Sequence, residues 1–469
     1  MNRRGLLQPL LVTGVLLSSL LAPPGPAGAA PGDPDRTFGR DGTLTTDFDG
    51  GTDQARAVVV QSDGKVVAAG AGSISTAKRV GGEGGLGGRG GAQFALARYG
   101  PDGSLDPTFG GDGKVTTDIA GDDAQALAVV LQPDGNIVAA GGAVVDGYGE
   151  FALARYLPDG ALDPTFAGDG TLTTDLPGVD ARAFALAVQP DGKLVAAGYS
   201  YEGGDSIQFA LARYLPDGVL DPDFGRGGIV ITDFAGGTDQ ARALVVQPDG
   251  KLVAAGFALE KGSFQFALAR YQPDGRLDTG FGGDGTVTTD FSGGDDQAFG
   301  IGLQPDGRLV AAGGALVGRK PLSGLPATAL TPPDEAPHGE FAVARYLPDG
   351  TLDTSFDGDG RQTTRFGGPA SAAALLLEPA GEIVTVGFAA EGDRFQFALA
   401  RYLPHGGLDP SFSGDGKLTA AVADGECEAF AVARQPDRKL VAAGFAVEGG
   451  GFQFALARYE SSLIESGVR

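Results

Sequence analysis

The 469-residue sequence predicts an all-β fold, a seven-bladed β-propeller with four antiparallel strands per blade. Three recurring segments predict it. Phe-Ala-Leu-Ala-Arg-Tyr, or a near copy, begins at Phe94, Phe151, Phe209, Phe266, Phe341, Phe397 and Phe454. A segment of the form Leu-Asp-Pro-Thr-Phe-Gly-Gly-Asp-Gly places its Phe at Phe38, Phe109, Phe166, Phe224, Phe281, Phe356 and Phe412. Versions of Gln-Pro-Asp-Gly-Lys-Leu-Val-Ala-Ala-Gly end at Gly70, Gly141, Gly198, Gly256, Gly313, Gly387 and Gly444. The period of about 57 residues is too long for one coil of a β-helix, and the 3.6-residue spacing of a helical solenoid is missing.

The third copy shows how each element is read. Ala181–Val188 alternates Ala with Arg182, Phe184, Leu186 and Val188, so apart from Arg182 both faces are apolar and the strand is expected to be buried on both sides. Pro190-Asp191-Gly192 is a tight turn, and Lys193–Ala197 returns as the second strand. Gln208–Tyr214 is the third, Pro216-Asp217-Gly218 turns again, and Gly228–Thr232 is the outer fourth. A unit greasy on both faces cannot stand alone, which favours a closed circle of sandwiched units. The chain starts with an outer-type strand, Gly42–Asp47, and ends on a third-type strand, Phe454–Tyr459. Pairing Thr43–Asp47 with Phe454–Tyr459 would complete the last blade, remove a free edge and close the ring.

These three segments resemble the bacterial delta-60 repeat, a propeller-type repeat of exported and surface proteins, over nearly all of Asp33–Tyr459. The resemblance implies the fold and an envelope setting, and brings no general activity or catalytic residues. Pro34 in place of a Leu, Ala380 in place of the turn Asp and Arg438 in place of the turn Gly are local departures from it.

Residues 1–29 have the layout of a signal peptide: Arg3-Arg4, an apolar stretch Leu6–Leu21, then Ala27-Gly28-Ala29, a pattern compatible with Sec or twin-arginine export. The propeller is expected over 30–460, with a tail at 461–469, in a secreted or envelope-associated bacterial protein and as a monomer. Nothing later in the chain is apolar enough to span a bilayer. With Cys427 as the single cysteine, an exported chain must cohere by packing and closure. A formal charge of -24 argues against nucleic acid, which needs a basic stripe.

Long insertions at 71–92 and 314–340 both fall between second and third strands, on the rim that also receives the loops leading into the innermost strands. Arg98, Arg155, Arg213, Arg270, Arg345, Arg401 and Arg458 recur in every copy and are read as structural ion pairs, each with an Asp of the following turn, such as Asp221 for Arg213. Asp53, Asp123, Asp180, Asp239, Asp296 and Glu426 precede the inner strands, as do Asp122 and Asp295; as an acidic channel mouth they are the candidate ligands for a hard cation such as Ca²⁺, against a reading in which they cap their own turns. With only His338 and His405 as histidines, no nucleophilic or zinc site is recognisable, and no catalytic or cofactor-binding residue is assigned. The expectation is a non-enzymatic binding or scaffold module that meets a protein or glycan through the insertion-bearing rim. The alternative is a divalent-cation-dependent lyase or hydrolase at the acidic mouth.

Overall fold

The computed structural model describes residues 29–73, 91–121, 123–204, 206–234, 236–317 and 338–461. The leader up to residue 28, insertion residues 74–90 and 318–337, Asp122 and the tail 462–469 lie outside the described residues. Within them the protein is all-β, and no helix is long and apolar enough to cross a membrane.

After β1 (Thr43–Thr46) the strands come in arrays of four. These are β2–β5 (Gln54–Val60, Val66–Ser73, Ala92–Tyr99, Lys114–Thr117), β6–β9 (Ala124–Leu131, Ile137–Val145, Tyr148–Tyr156, Thr171–Thr174) and β10–β13 (Asp180–Val188, Leu194–Gly203, Ser206–Tyr214, Ile229–Thr232). There follow β14–β17 (Asp239–Val246, Leu252–Glu260, Ser263–Tyr271, Thr286–Thr289), β18–β21 (Asp296–Leu303, Leu309–Val317, His338–Tyr346, Arg361–Thr364) and β22–β25 (Ala370–Leu377, Ile383–Glu391, Arg394–Tyr402, Lys417–Ala420). The last three strands, β26–β28 (Cys427–Arg434, Leu440–Glu448, Gly451–Tyr459), take β1 as their fourth, with Thr43 opposite Ala457 and Thr46 opposite Phe454. Strands within each array are antiparallel neighbours. Hydrogen bonding nevertheless counts six sheets, because one parallel bridge from Asp180 to Gly149 fuses β6–β9 and β10–β13 into eight strands. Gly149 permits it: a Cβ there would lie 1.9 Å from Asp180 Oδ1.

The turns follow from their residues. At Gln189–Lys193 the Gln189 amide donates to the Lys193 carbonyl at 2.8 Å, and Gly192 takes a φ of 83°, which a side chain would resist. Second strands run further than Lys193–Ala197 suggests, to Gly203 in β11, because Tyr199, Ser200 and Tyr201 keep pairing with Phe209, Gln208 and Ile207. For the same reason Ala71–Ser73, Ala92, Gly314–Val317 and His338–Glu340, at the margins of the expected insertions, are strand.

Burial corrects one expectation. Second and third strands are buried on both faces, but the innermost strands alternate: in β10, Ala181, Ala183 and Ala185 are buried while Arg182 and Phe184 are not fully so. The half-buried face, which carries Arg182 and Phe184, borders the cavity described below rather than a neighbouring sheet. The buried apolar side chains cluster between consecutive arrays, and one cluster joins Val441, Ala443, Phe454 and Leu456 to Val66, Ala68, Ala95 and Tyr99. Burying a Phe, Leu or Tyr of this kind stabilises by about 1.5–3 kcal/mol, which makes these contacts the main cohesive term.

Two polar links repeat between arrays. Tyr99, Tyr156, Tyr214, Tyr271, Tyr346 and Tyr402 each share a hydrogen bond of 2.8–2.9 Å with Thr46, Thr117, Thr174, Thr232, Thr289 and Thr364 of the preceding outer strand. Each third-strand arginine sends Nη1 to a carbonyl of the next array. Arg98 reaches Pro158, Arg155 Pro216, Arg213 Pro273, Arg270 Pro348, Arg345 Pro404 and Arg401 Ser461, and Arg458 returns to Pro101.

Candidate functional site

The third-strand arginines are fully committed to the scaffold. Arg98, Arg155, Arg213, Arg270, Arg345 and Arg401 hold Asp106, Asp163, Asp221, Asp278, Asp353 and Asp409 through Nε at 2.7–2.8 Å, and Arg458 pairs with Asp35. Each guanidinium also lies 4.5–4.9 Å from the ring of the Phe three residues after its aspartate, from Phe38 to Phe412. Buried, stacked on a ring and bonded both to a carboxylate and to a carbonyl, these side chains serve the scaffold.

The acidic candidates are separated by register. Asp53, Asp239 and Asp296 are fully buried, and each takes a backbone N–H of its own turn: Phe48 at 2.7 Å, Phe234 at 2.9 Å and Phe291 at 2.8 Å. Burial pushes their carboxyls up, to about 6 for Asp53 and Asp239 and about 7 for Asp296, and Asp47, Asp233 and Asp290 add like-charge repulsion. Asp123 and Asp180 sit one register position earlier. Asp123 accepts the Ala92 amide at 2.8 Å, and Asp180 the Tyr199 hydroxyl at 2.6 Å. The Glu426 carbonyl accepts the Val447 amide at 2.8 Å. None of these six lines the cavity described next, although Asp295 does, and among the described residues no three His, Cys, Asp or Glu side chains gather to hold a metal ion.

That cavity is rich in arginine and phenylalanine. Every innermost strand carries a β-bulge just after the alanine that faces the glycine of Val-Ala-Ala-Gly. That glycine is a steric requirement: in β15, a Cβ on Gly256 would sit 1.9 Å from the Gln240 carbonyl oxygen. Arg56, Leu127, Phe184, Arg242, Phe299, Ala373 and Phe430 hold these bulge positions, and all of them line one cavity of about 660 Å³. Arg182, Gln125, Gln297, Ser371 and Phe388 line it too, with Asp295.

The guanidiniums here are held by rings rather than by carboxylates. Arg242 lies 3.8 Å from the Phe184 ring centroid and 5.8 Å from that of Phe299, while Arg56 lies 4.1 Å from Phe430. Their hydrogen bonds go to neutral amides, Arg242 Nη2 to Gln240 Oε1 at 2.8 Å and Arg56 Nη2 to Gln54 Oε1 at 2.5 Å. Arg242 Nε is buried and, among the described residues, bonded to nothing. Burial lowers both side chains' affinity for the proton, Arg242 to about 10. Tyr199 opposes this for Arg242 and Glu428 for Arg56, while Arg182 pushes in the same direction on both. Such a site can receive negative charge and stack a flat or ring-shaped body.

Motif reading of the sequence passed over Arg56 and Arg242 because it looks for what recurs. The usable signal was the opposite one: on strands otherwise copied from unit to unit, the bulge position holds Arg, Leu, Phe, Arg, Phe, Ala and Phe in turn.

Six stretches of the chain (80–109, 132–166, 189–224, 247–281, 338–356 and 435–462) match a family described as a domain of unknown function (DUF5122) beta-propeller, a match that supports a β-propeller repeat. Comparison with curated proteins gave no match. Among solved structures, it is similar to an inactive variant of virginiamycin B lyase from Staphylococcus aureus with quinupristin (10% identity, TM-score 0.45, 88% of this chain and 98% of that one). It is similar also to Sqt1 from Chaetomium thermophilum (13%, 0.43, 86% and 83%) and to the polysaccharide lyase Uly1 (12%, 0.42, 87% and 90%).

Proposed function

We propose that the arrays are the seven blades of one closed, exported, monomeric propeller of the delta-60 type, and that it works as a non-enzymatic binding module whose ligand sits in the cavity at the channel mouth. Support for closure comes from the pairing of β1 with β28 and from the arginine-to-carbonyl links, which run from array to array and return to the first. The binding reading is carried by one observation: the residues that vary between copies at the bulge converge on a single cavity. Repetition serves the scaffold, so variation gathered at one place marks what the scaffold displays. Gly314, Ala315, Leu316 and Gly339 border the cavity and stand in sequence on either side of 318–337, which supports a location on the rim proposed to meet a protein or glycan. The cation-dependent lyase or hydrolase has no observation of comparable weight, since of the acids it would use Asp53, Asp239 and Asp296 cap their own turns and Asp123 and Asp180 accept from Ala92 and Tyr199.

The test is to fill the cavity without disturbing the blades. Ala373 occupies the position held by Phe184, Phe299 and Phe430 in other arrays, so the bulge accepts a large ring there. Ala373→Trp should keep the melting temperature and lose binding in a glycan-array and peptide-library screen of the mature protein. Identical binding profiles for the two proteins would defeat the reading.

A further inference from the structure

We infer that the channel cavity selects an anionic ligand, a carboxylate or sulfate carried on a ring with an apolar face, which makes an acidic saccharide its chemical class. This deepens the binding-module reading and rests on it. Charge is the first reason. In a chain of formal charge -24, Arg56, Arg182 and Arg242 converge on one cavity, and among the described residues no carboxylate forms an ion pair with any of them. The scaffold arginines show what this sequence does when a guanidinium only has to hold the fold: it supplies an aspartate and a carbonyl every time. Against these three guanidiniums the lining sets one carboxylate, Asp295, and Glu428 acts on Arg56 without pairing with it, so positive charge is in excess and an entering oxyanion relieves the repulsion.

Geometry gives the second reason. Stacking on Phe184 and Phe430 occupies the faces of Arg242 and Arg56 and leaves their N–H edges as the available donors, of which Arg242 Nε has no partner. An edge-on guanidinium matches the two oxygens of a carboxylate or sulfate. Phe299 and Phe388 add apolar faces suited to the C–H face of a sugar ring, and Gln125 and Gln297 add neutral amides suited to hydroxyls. A long polyanion such as nucleic acid is disfavoured by the acidic remainder of the surface, whereas a compact ligand meets only the cavity.

The experiment uses the mature protein at constant ionic strength, with trigalacturonate, its neutral counterpart trigalactose, and inorganic sulfate as probes in calorimetry and thermal shift. Trigalacturonate should bind wild type at least about 10-fold more tightly than trigalactose and than sulfate, and R56Q/R182Q/R242Q should lose at least about 100-fold while melting as a folded protein. Sulfate should raise the wild-type melting temperature more than that of the triple variant, which controls for the general stabilising effect of this salt. Equal affinity for the two trisaccharides, both lost in Ala373→Trp, overturns the anion inference and leaves the binding module standing. Trigalacturonate binding that survives Ala373→Trp overturns both. An absence of response to trigalacturonate and sulfate, or an equal sulfate shift in the triple variant, overturns the inference. Sulfate matching trigalacturonate overturns its ring component.

Discussion

Replacing Ala420 by Thr should stabilise this protein. Six tyrosines at the interfaces between arrays share a hydrogen bond with a threonine of the preceding outer strand. The seventh, Tyr459, is 2% exposed, and its hydroxyl has no partner among the described residues. The reason is local. In β24–β25 the residue paired with Phe397 is Ala420, where the equivalent pairs place Thr117 opposite Phe94 and Thr174 opposite Phe151. Leaving a buried hydroxyl unpaired costs about 1–3 kcal/mol, and fixing a threonine rotamer takes back part of the gain, so Ala420→Thr should add about 1–2 kcal/mol. In a domain of this size that corresponds to only about 1–2 °C in melting temperature, so urea unfolding, read as a shift in midpoint at constant slope, is the better assay. A double-mutant cycle isolates the bond. Tyr459→Phe should be neutral or slightly stabilising in wild type and destabilising by about 1 kcal/mol in the Ala420→Thr background. If Tyr459→Phe has the same effect in both backgrounds, the Tyr–Thr link is not what these interfaces depend on.

Two further outcomes follow from charge. Arg213→Ala leaves Asp221 buried beside Lys193 alone and removes the link to Pro273, so it should cost about 3–5 kcal/mol by denaturant unfolding; a loss under about 1 kcal/mol would mean the pair is solvated. Asp296 titrates near 7 in the fold, above its ordinary value, so the fold favours its protonated form: the stability this contributes is complete below the ordinary carboxylate range and is lost as pH rises through about 7. Asp296→Asn should therefore raise the unfolding midpoint at pH 8 more than at pH 5, and an equal effect at both would contradict the assignment.

What the sequence made legible was whatever the scaffold needs in every copy. Alternating apolar strands, Pro-Asp-Gly turns and the four-strand unit can all be read from one copy and checked in the next, because the same local physics selects the same residues each time. Asp180 and Asp239 show where that reading stops. Both stand at the entrance to an innermost strand, yet Asp239 is buried over its own turn whereas Asp180, one register position earlier, takes a tyrosine hydroxyl. A shift of one residue reverses the face, and without the bulge and its pairing partner the register cannot be counted. The expectation of two-sided burial failed at Arg182 and Phe184 for a related reason: alternation identifies a face but not whether a neighbour covers it. Arg56 and Arg242 come from strands far apart in the chain, and only the curvature of the whole assembly brings them to one cavity.

The pairing of Thr43–Thr46 with Phe454–Ala457 fixes an order of events. All the other strands lie between these two segments in the chain, so Thr46 must wait, solvated and unpaired, until the intervening strands have been made. Interfaces between consecutive arrays can form as soon as both arrays exist, but this one cannot form until β28 does. Maturation of the protein therefore has a single late commitment step, and until it occurs the β28 edge stays open to the matching segment of another molecule.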